Sequence, residues 1–425
     1  TQAPFPTVIR PANPMSANQP ELPAALLSAF GRADSVITIS PQAVVANWRY
    51  LASLSSPTTE TAAVVKADAY GLGASQLAPH LVDAGCRTFF VMSLDEAITL
   101  RGALNDSGHD ANGHDTSRHD TSGHDKHAVL ILGGCHRGQE DEMLAHDITP
   151  VINTSEQAER LGKVARERGM TIPVALHIDT GMSRLGLDTQ ETARLAKQVT
   201  EKSPILDGLS PRWLMSHLRA GEDDADPANE AQLHAFTTLR TAFPGIAGSL
   251  ANSGGTLRGP DFHFDMTRPG IALYGLHPAG MGMSGQQAEQ AGRLIPAIRW
   301  DARILQIRAA KAGDAVGYNG THVLVRDSRI ATIGVGYADG YMRALGNRAI
   351  VVIAGHEAPV IGRVSMDSIT VDVTDIPATT LQTASTATVL GDGYNLARMA
   401  DDAGTIGYEI LTRLGQRPRR LYLPA

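Results

Sequence analysis

Eight short apolar or β-branched runs recur between residues 61 and 275, and no other feature restricts the fold as much. They are TAAVVK (61–66), TFFVMS (88–93), AVLILG (128–133), ITPVIN (148–153), IPVALHID (172–179), RWLMSHL (212–218), GSLANS (248–253) and FDMTRPGIALYG (264–275). Stretches such as SEQAERLGKVARERG (155–169) lie between them and carry the apolar spacing of an amphipathic helix. Near-continuous apolar strands alternating with helices imply a parallel sheet whose faces are both covered by crossover helices. Eight such units suit a closed (β/α)8 barrel. On rhythm alone, a doubly wound open sheet is the alternative.

After about residue 290 the texture changes. AIRWDARILQIRAA, HVLVRDSRIATIGVGY and AIVVIAGHEAPVIGRVSMDSITVDV are alternating, β-rich runs separated by Gly and Asp turns. They predict a separate all-β domain, closed by a short helix and a terminal strand in TIGYEILTRLGQRPRRLYLPA. The expected organisation is an arm over 1–34, an α/β barrel domain over 35–290 and a β domain over 291–425. SVITIS (35–40) reads as a strand, and Ser40-Pro41 then supplies an N-cap with proline at the first helical position. Within the barrel, residues 105–127 repeat His-Asp every five residues, which matches neither a helix face nor a strand face. A polar loop inserted between barrel strands is expected there, with metal binding as the other reading of a His/Asp tract. No metal site is expected elsewhere.

Charge excludes some functions. With 37 basic and 44 acidic residues, the net charge of −7 offers no footprint for nucleic acid. No run of 18 apolar residues suggests a membrane span. The polar, Pro-rich first residues lack the apolar core of a signal peptide. Two cysteines, Cys86 and Cys135, form neither a disulfide framework nor a metal spacing. A cytoplasmic setting is the expectation.

In such barrels, chemistry sits at the carboxyl ends of strands. Several polar residues fall there: Lys66 with Tyr70 after strand one, His177 and Asp179 at strand five with Arg184 following, His217 at strand six, Asn252 and Ser253 at strand seven, and Arg268 at strand eight. A strand-end lysine can simply meet water, and taken singly each of these residues has a structural reading. Their convergence on one mouth favours chemistry. The Gly-rich turns ANSGG and RPGI follow strands seven and eight, where barrels bind phosphate through backbone N–H groups. A reactive lysine facing a phosphate site suggests covalent attachment of pyridoxal phosphate.

AVVKADAYGLGA, HIDTGMSRLG, ANSGG, RPGIALYG, GYADG and GRVSMD, in that order, resemble the motifs of the alanine racemase family over nearly the whole chain from about residue 35. The resemblance implies pyridoxal 5'-phosphate as cofactor, alanine as substrate, and a homodimer with shared active sites. It implies a two-base reaction. Lys66 would carry the cofactor and face one side of the substrate; Tyr318, from the partner chain, would face the other. Arg268 and His217 would support Tyr318 through a hydrogen-bonded network. Tyr70, Ser253, Gly270, Ile271 and Tyr408 would hold the phosphate, with Asn252 nearby. Arg184 and the Met366 backbone N–H would hold the substrate carboxylate, and Tyr337 and Asp367 would line the entrance. D-alanine for peptidoglycan is the implied product. A broad-specificity amino-acid racemase of the same fold is the alternative. A barrel decarboxylase is disfavoured because such enzymes place a carboxylate where Arg268 stands.

Two residues depart from the family pattern, as does the His-Asp insert, which lies away from the motifs in sequence. His177 stands where members often have a lysine that positions the carboxylate-binding arginine. Ser249 stands where some have a histidine. None removes a catalytic group.

Overall fold

The computed structural model describes residue 28 and residues 30–106, 127–200, 207–281, 283 and 285–424. The His-Asp repeat and almost all of the amino-terminal arm lie outside these residues.

Seven parallel strands follow one another in chain order: Ala63–Val64, Thr88–Val91, Ala128–Ile131, Thr149–Ile152, Ile172–His177, Leu209–Met215 and Ala247–Ser249. The eighth, Met266–Thr267, pairs in parallel with Glu60–Thr61, just ahead of the first. On its other side the Asp265 N–H donates to Gly248 O at 3.0 Å and the Arg268 N–H donates to Ala251 O at 2.9 Å. The ring therefore closes, as the eight-unit rhythm predicts. Phe89, Phe90, Val129, Leu130, Val151, Ile152, Ala175 and Leu176 are wholly buried, which a barrel jacketed by helices requires of both strand faces.

The helices begin and end where local chemistry directs. Ser40 Oγ accepts the Ala43 N–H at 3.1 Å and Pro41 opens the helix Pro41–Ser53. Thr154 caps Ser155–Arg168 in the same way, and Gly169, with φ 63°, ends it in the left-handed conformation.

The second domain is built on one long strand, Ile298–Ala310. Its first half lies between Ser35–Ile39 and Thr386–Leu390; its second half pairs with Ser328–Ile333 after a register shift between Ile304 and Gln306. The placement of Ser35–Ile39 differs from the sequence expectation. Residue 35 was expected to open the barrel domain, but this strand hydrogen-bonds antiparallel to Ile298–Ala310 and parallel to Arg419–Tyr422. The apolar alternation of SVITI dictates a strand without dictating its partner.

The two domains meet beside the first barrel strand. The helix Gly407–Thr412 and the strand Arg419–Tyr422 fold back over residues 71–73. Arg420 donates to Gly71 O from Nε and Nη2 at 3.3 and 3.2 Å, and Tyr422 Oη donates to Leu72 O at 3.0 Å. Gly73 has φ 92°, and a Cβ there would lie 2.0 Å from Tyr422 Oη, so both its conformation and its neighbour call for glycine. Among the described residues, no helix is long and apolar enough to cross a membrane.

Candidate active site

Lys66 leaves the first barrel strand at its carboxyl end and opens the short turn Lys66–Gly71. The four residues after it, Ala67, Asp68, Ala69 and Tyr70, all lie in the left-handed helical region, with φ between 52° and 58°. None is glycine, and left-handed helix costs an L-residue roughly 1–2 kcal/mol each. The surroundings must therefore hold the turn. The Ala69 N–H donates to Val65 O at 2.8 Å, and the Gly73 N–H to Asp68 O at 2.9 Å. The Asp68 carboxylate accepts the Ala74 N–H at 2.7 Å, and the Glu96 carboxylate accepts the Ala67 N–H at 2.8 Å.

The turn carries Tyr70 into a buried aromatic group. Its ring centroid is 5.0 Å from that of Tyr274 and 5.9 Å from that of Tyr408. The Tyr70 hydroxyl rests against Gly270, where a Cβ would come within 2.3 Å of it. Ser253 lies on the other side of Gly270: its Oγ accepts the Gly270 N–H at 2.8 Å and the Ala272 N–H at 3.3 Å. Asn252 caps the helix Ser253–Arg258 by accepting the Gly255 N–H at 3.0 Å and donates to Leu218 O at 3.2 Å. Ile271 opens the next short helical turn, Ile271–Tyr274, and is wholly buried.

These groups fit a phosphate. Burial pushes the Tyr70 and Tyr408 phenols up, so both keep their protons and can donate. Among the described residues neither hydroxyl has a hydrogen-bond partner. With the Ser253 hydroxyl and the neighbouring backbone N–H groups, they make a donor set suited to an anionic ester.

Arg268 is 4% exposed, and among the described residues no carboxylate forms an ion pair with it. Its guanidinium donates to Ser249 Oγ and Ser216 O, and to Leu250 O at 3.5 Å. Its Cζ lies 5.9 Å from the centroid of the Phe90 ring. Ser249, a departure from the family pattern, is thus a support for Arg268 and passes its own hydrogen on to Met266 O at 2.7 Å. Burial lowers the Arg268 pKa to about 9.

The positive charge of Arg268 spreads to its neighbours. Burial pushes His217 well below the usual histidine range, aided by Arg268, Arg184, Lys66 and His177. His177 is lowered to about 4, by burial first and then by Arg268; Asp179 acts in the opposite direction. Its Nδ1 lies 2.8 Å from Asn153 Oδ1. The Asn153 amide nitrogen donates to Leu132 O at 3.0 Å and Val151 O at 3.3 Å, which turns its oxygen towards the ring. Nδ1 therefore carries the hydrogen, and the neutral ring keeps a lone pair on Nε2. Asp179 shapes the loop that bears Arg184: its carboxylate accepts the N–H groups of Gly181, Met182 and Ser183 at 2.8–2.9 Å. Burial and Arg184 lower the Lys66 pKa, which raises the fraction of nucleophilic amine.

The remaining expected site residues form a second group, on the β domain. Tyr318 is 67% exposed at the start of the turn Tyr318–Gly320. Tyr337 and Met366 are also exposed. The Tyr337 N–H donates to Ser365 O and the Ala338 N–H to Met366 O, both at 3.0 Å. Arg417 then fastens the two loops together. It binds the buried Asp339 carboxylate at 2.6 and 2.8 Å and Asp367 Oδ1 at 2.5 Å. Among the described residues, no hydrogen bond joins Tyr318, Tyr337, Met366 or Asp367 to the barrel mouth. Nor does any group of three His, Cys, Asp or Glu among them have the makings of a metal site.

Sequence reasoning missed Glu96, Asn153, Ser216 and Arg417. Only Glu96 had a sequence signal: Ser93-Leu94-Asp95-Glu96 has the Ser-x-x-Glu form of a capping box.

Comparison with known proteins gives the family. Residues 39–278 match the family described as alanine racemase, N-terminal domain, and residues 297–422 match alanine racemase, C-terminal domain. The chain belongs to the alanine racemase family. It is 44% identical over 390 residues to the alanine racemase of Acidiphilium cryptum, covering 91% of this chain and 98% of that one. It is 40% identical over 396 residues to that of Brucella canis, covering 92% and 94%. The solved alanine racemase of Bartonella henselae, which has covalently bound pyridoxal phosphate, is 37% identical with a TM-score of 0.80, over 92% of this chain and all of that one. The biosynthetic alanine racemase of Pseudomonas aeruginosa superposes with a TM-score of 0.79 at 30% identity, over 92% and 100%. As a member of the alanine racemase family, the chain is an isomerase.

Proposed function

We propose that the chain interconverts L-alanine and D-alanine with pyridoxal 5'-phosphate, using two bases on opposite faces of the substrate. Pyridoxal phosphate supplies the electron withdrawal that makes the α-hydrogen of a bound amino acid acidic. The protein's residues do the rest. Lys66, an amine with a lowered pKa at the barrel mouth, holds the cofactor and takes or returns a proton on one face. Tyr318 from a second copy does so on the other face. Tyr70, Ser253, Tyr408 and the Gly270 and Ile271 backbone secure the phosphate, with Asn252 shaping the turn. Arg184 and the Met366 N–H hold the substrate carboxylate. Tyr337 and Asp367 frame the entrance. Arg268 would act by its charge: a buried guanidinium in the site would disfavour protonation of the bound cofactor, limiting electron withdrawal to what brief proton removal needs. His217 relays that charge towards Tyr318.

The observation that carries this reading is the division of the site into two groups. The cofactor-type residues line one mouth, whereas Tyr318, Tyr337, Met366 and Asp367 stand on the β domain, with Tyr318 largely exposed. A homodimer that sets the β domain of one chain over the barrel of the other would unite them. D-alanine made in this way would serve peptidoglycan assembly in the cytoplasm.

Subunit complementation tests the proposal. Lys66→Ala and Tyr318→Phe chains, each inactive for racemisation, should regain it when mixed and reassembled, because one of the two sites of a mixed dimer then has both bases. Mixed dimers that form but stay inactive would refute the shared site. A panel of L-amino acids run alongside separates an alanine enzyme from a broad-specificity racemase.

A further inference from the structure

We infer that Glu96 is a positioning residue for the reaction: its carboxylate forms an extra rung between two barrel strands and thereby fixes the backbone that aims Lys66. The strand ladder supplies its last bond at Val65, whose N–H donates to Phe90 O at 2.9 Å. Beyond that point the first strand turns left-handed and can pair no further. Glu96 then takes over. Its Oε1 accepts the Ala67 N–H at 2.8 Å, and its Oε2 accepts the Met92 N–H at 2.6 Å and the Ser93 N–H at 3.4 Å.

The capping role alone does not account for this arrangement. Ser93 and Glu96 form a reciprocal pair at the start of the helix Leu94–Asp106, with the Glu96 N–H donating to Ser93 Oγ at 3.4 Å. That pair uses only one carboxylate oxygen. The other reaches a different strand and binds the first left-handed residue after Lys66. Charge-assisted bonds of this kind are about twice as strong as neutral ones, and this one secures a conformation that alanine does not choose unaided.

The same carboxylate acts on the amine through space. Among the described residues, the charged and titratable groups that act on Lys66 are Arg184, His217 and Glu96. Of these, Glu96 alone favours the ammonium form.

The test uses the full-length chain freed of pyridoxal phosphate. Amide hydrogen exchange at Ala67 and Met92 is measured in Glu96→Gln, and the pH midpoint for reductive methylation of Lys66 by formaldehyde and cyanoborohydride is mapped by peptide. Exchange should accelerate roughly tenfold to a hundredfold, the range for a lost hydrogen bond to a charged group. The methylation midpoint should move to lower pH. A folded Glu96→Gln chain with wild-type exchange and a wild-type midpoint overturns the inference. Glu96→Asp keeps the charge on a shorter arm; its exchange should rise while its midpoint stays, and unchanged exchange in this variant also overturns it. The inference rests on Lys66 as the amine that holds the cofactor. Borohydride reduction of the loaded wild-type chain tests that separately: a pyridoxyl label on another residue refutes the assignment of Lys66 and leaves the exchange result standing.

Discussion

Lowering the pH should weaken the cofactor-free chain through His177, and His177→Asn should remove that part of the weakening. In the folded chain burial and Arg268 hold His177 near pKa 4, against about 6.5 for an unperturbed histidine. Between those values the unfolded chain binds the proton and the folded chain does not. Stability therefore rises with pH across this window and falls as the solution is acidified from about 6.5 to 4. The difference corresponds to about 3 kcal/mol, fully lost only below pH 4. An asparagine side chain places an amide nitrogen close to the position of Nδ1, so it can keep the bond to Asn153 Oδ1 while titrating nothing. Urea denaturation of the two chains in parallel, at steps from pH 7.5 to 4.5, is the assay. Other buried histidines also weaken the chain in acid: His263 contributes equally to both proteins and cancels in the difference, and His217 feels His177 only once that ring is charged, near pH 4. The gap between the two curves should open by about 2 kcal/mol on reaching pH 5. Parallel loss of stability across the whole range would show that His177 is not held neutral, and the tautomer assigned from Asn153 would fall with it.

Two further substitutions probe the turn and the cradle. Gly73→Ala puts a methyl against Tyr422 Oη at a positive φ, and it should destabilise the chain by about 1–3 kcal/mol. Tyr422→Phe should relieve part of that loss, and strict additivity of the two in thermal melts would refute the contact. Ser253→Ala leaves the buried Gly270 and Ala272 N–H groups without their acceptor and should cost about 1–3 kcal/mol of stability, with weaker retention of pyridoxal phosphate on dialysis; an unchanged melting temperature and unchanged retention would count against the cradle.

Much of the fold could be read from the chain because burial on both faces leaves a mark. FFV, VLI and VAL have no polar alternation, and a parallel barrel strand is the structure that tolerates this. The β domain was legible for the opposite reason, its alternation and turn residues. What stayed hidden depended on partners far away in sequence. SVITI is as good a strand for one sheet as for the other. Asn153 and His177 become a pair only because adjacent strands bring residues 24 apart into contact. The left-handed turn could not be foreseen, because Ala-Asp-Ala-Tyr carries no preference for it and Glu96 and residues 407–422 impose it from outside. Lys66, Arg268 and Ser253 were legible as strand-end residues within recognisable motifs, whereas the separation of Tyr318, Tyr337 and Met366 from the barrel mouth is a property of the folded chain.

The contacts of Arg420 and Tyr422 with residues 71 and 72 also bear on the order of synthesis. They join positions 349 and 350 residues apart. At ribosomal rates of about 5–20 residues per second, roughly 20 to 70 s separate the emergence of Lys66 from that of its clasp. During that interval the barrel strands can pair, but the turn beside the lysine lacks its outer support. A nascent chain therefore carries a barrel before the turn beside Lys66 is clasped, and a chain cut short within residues 407–422 lacks that clasp even if its barrel survives.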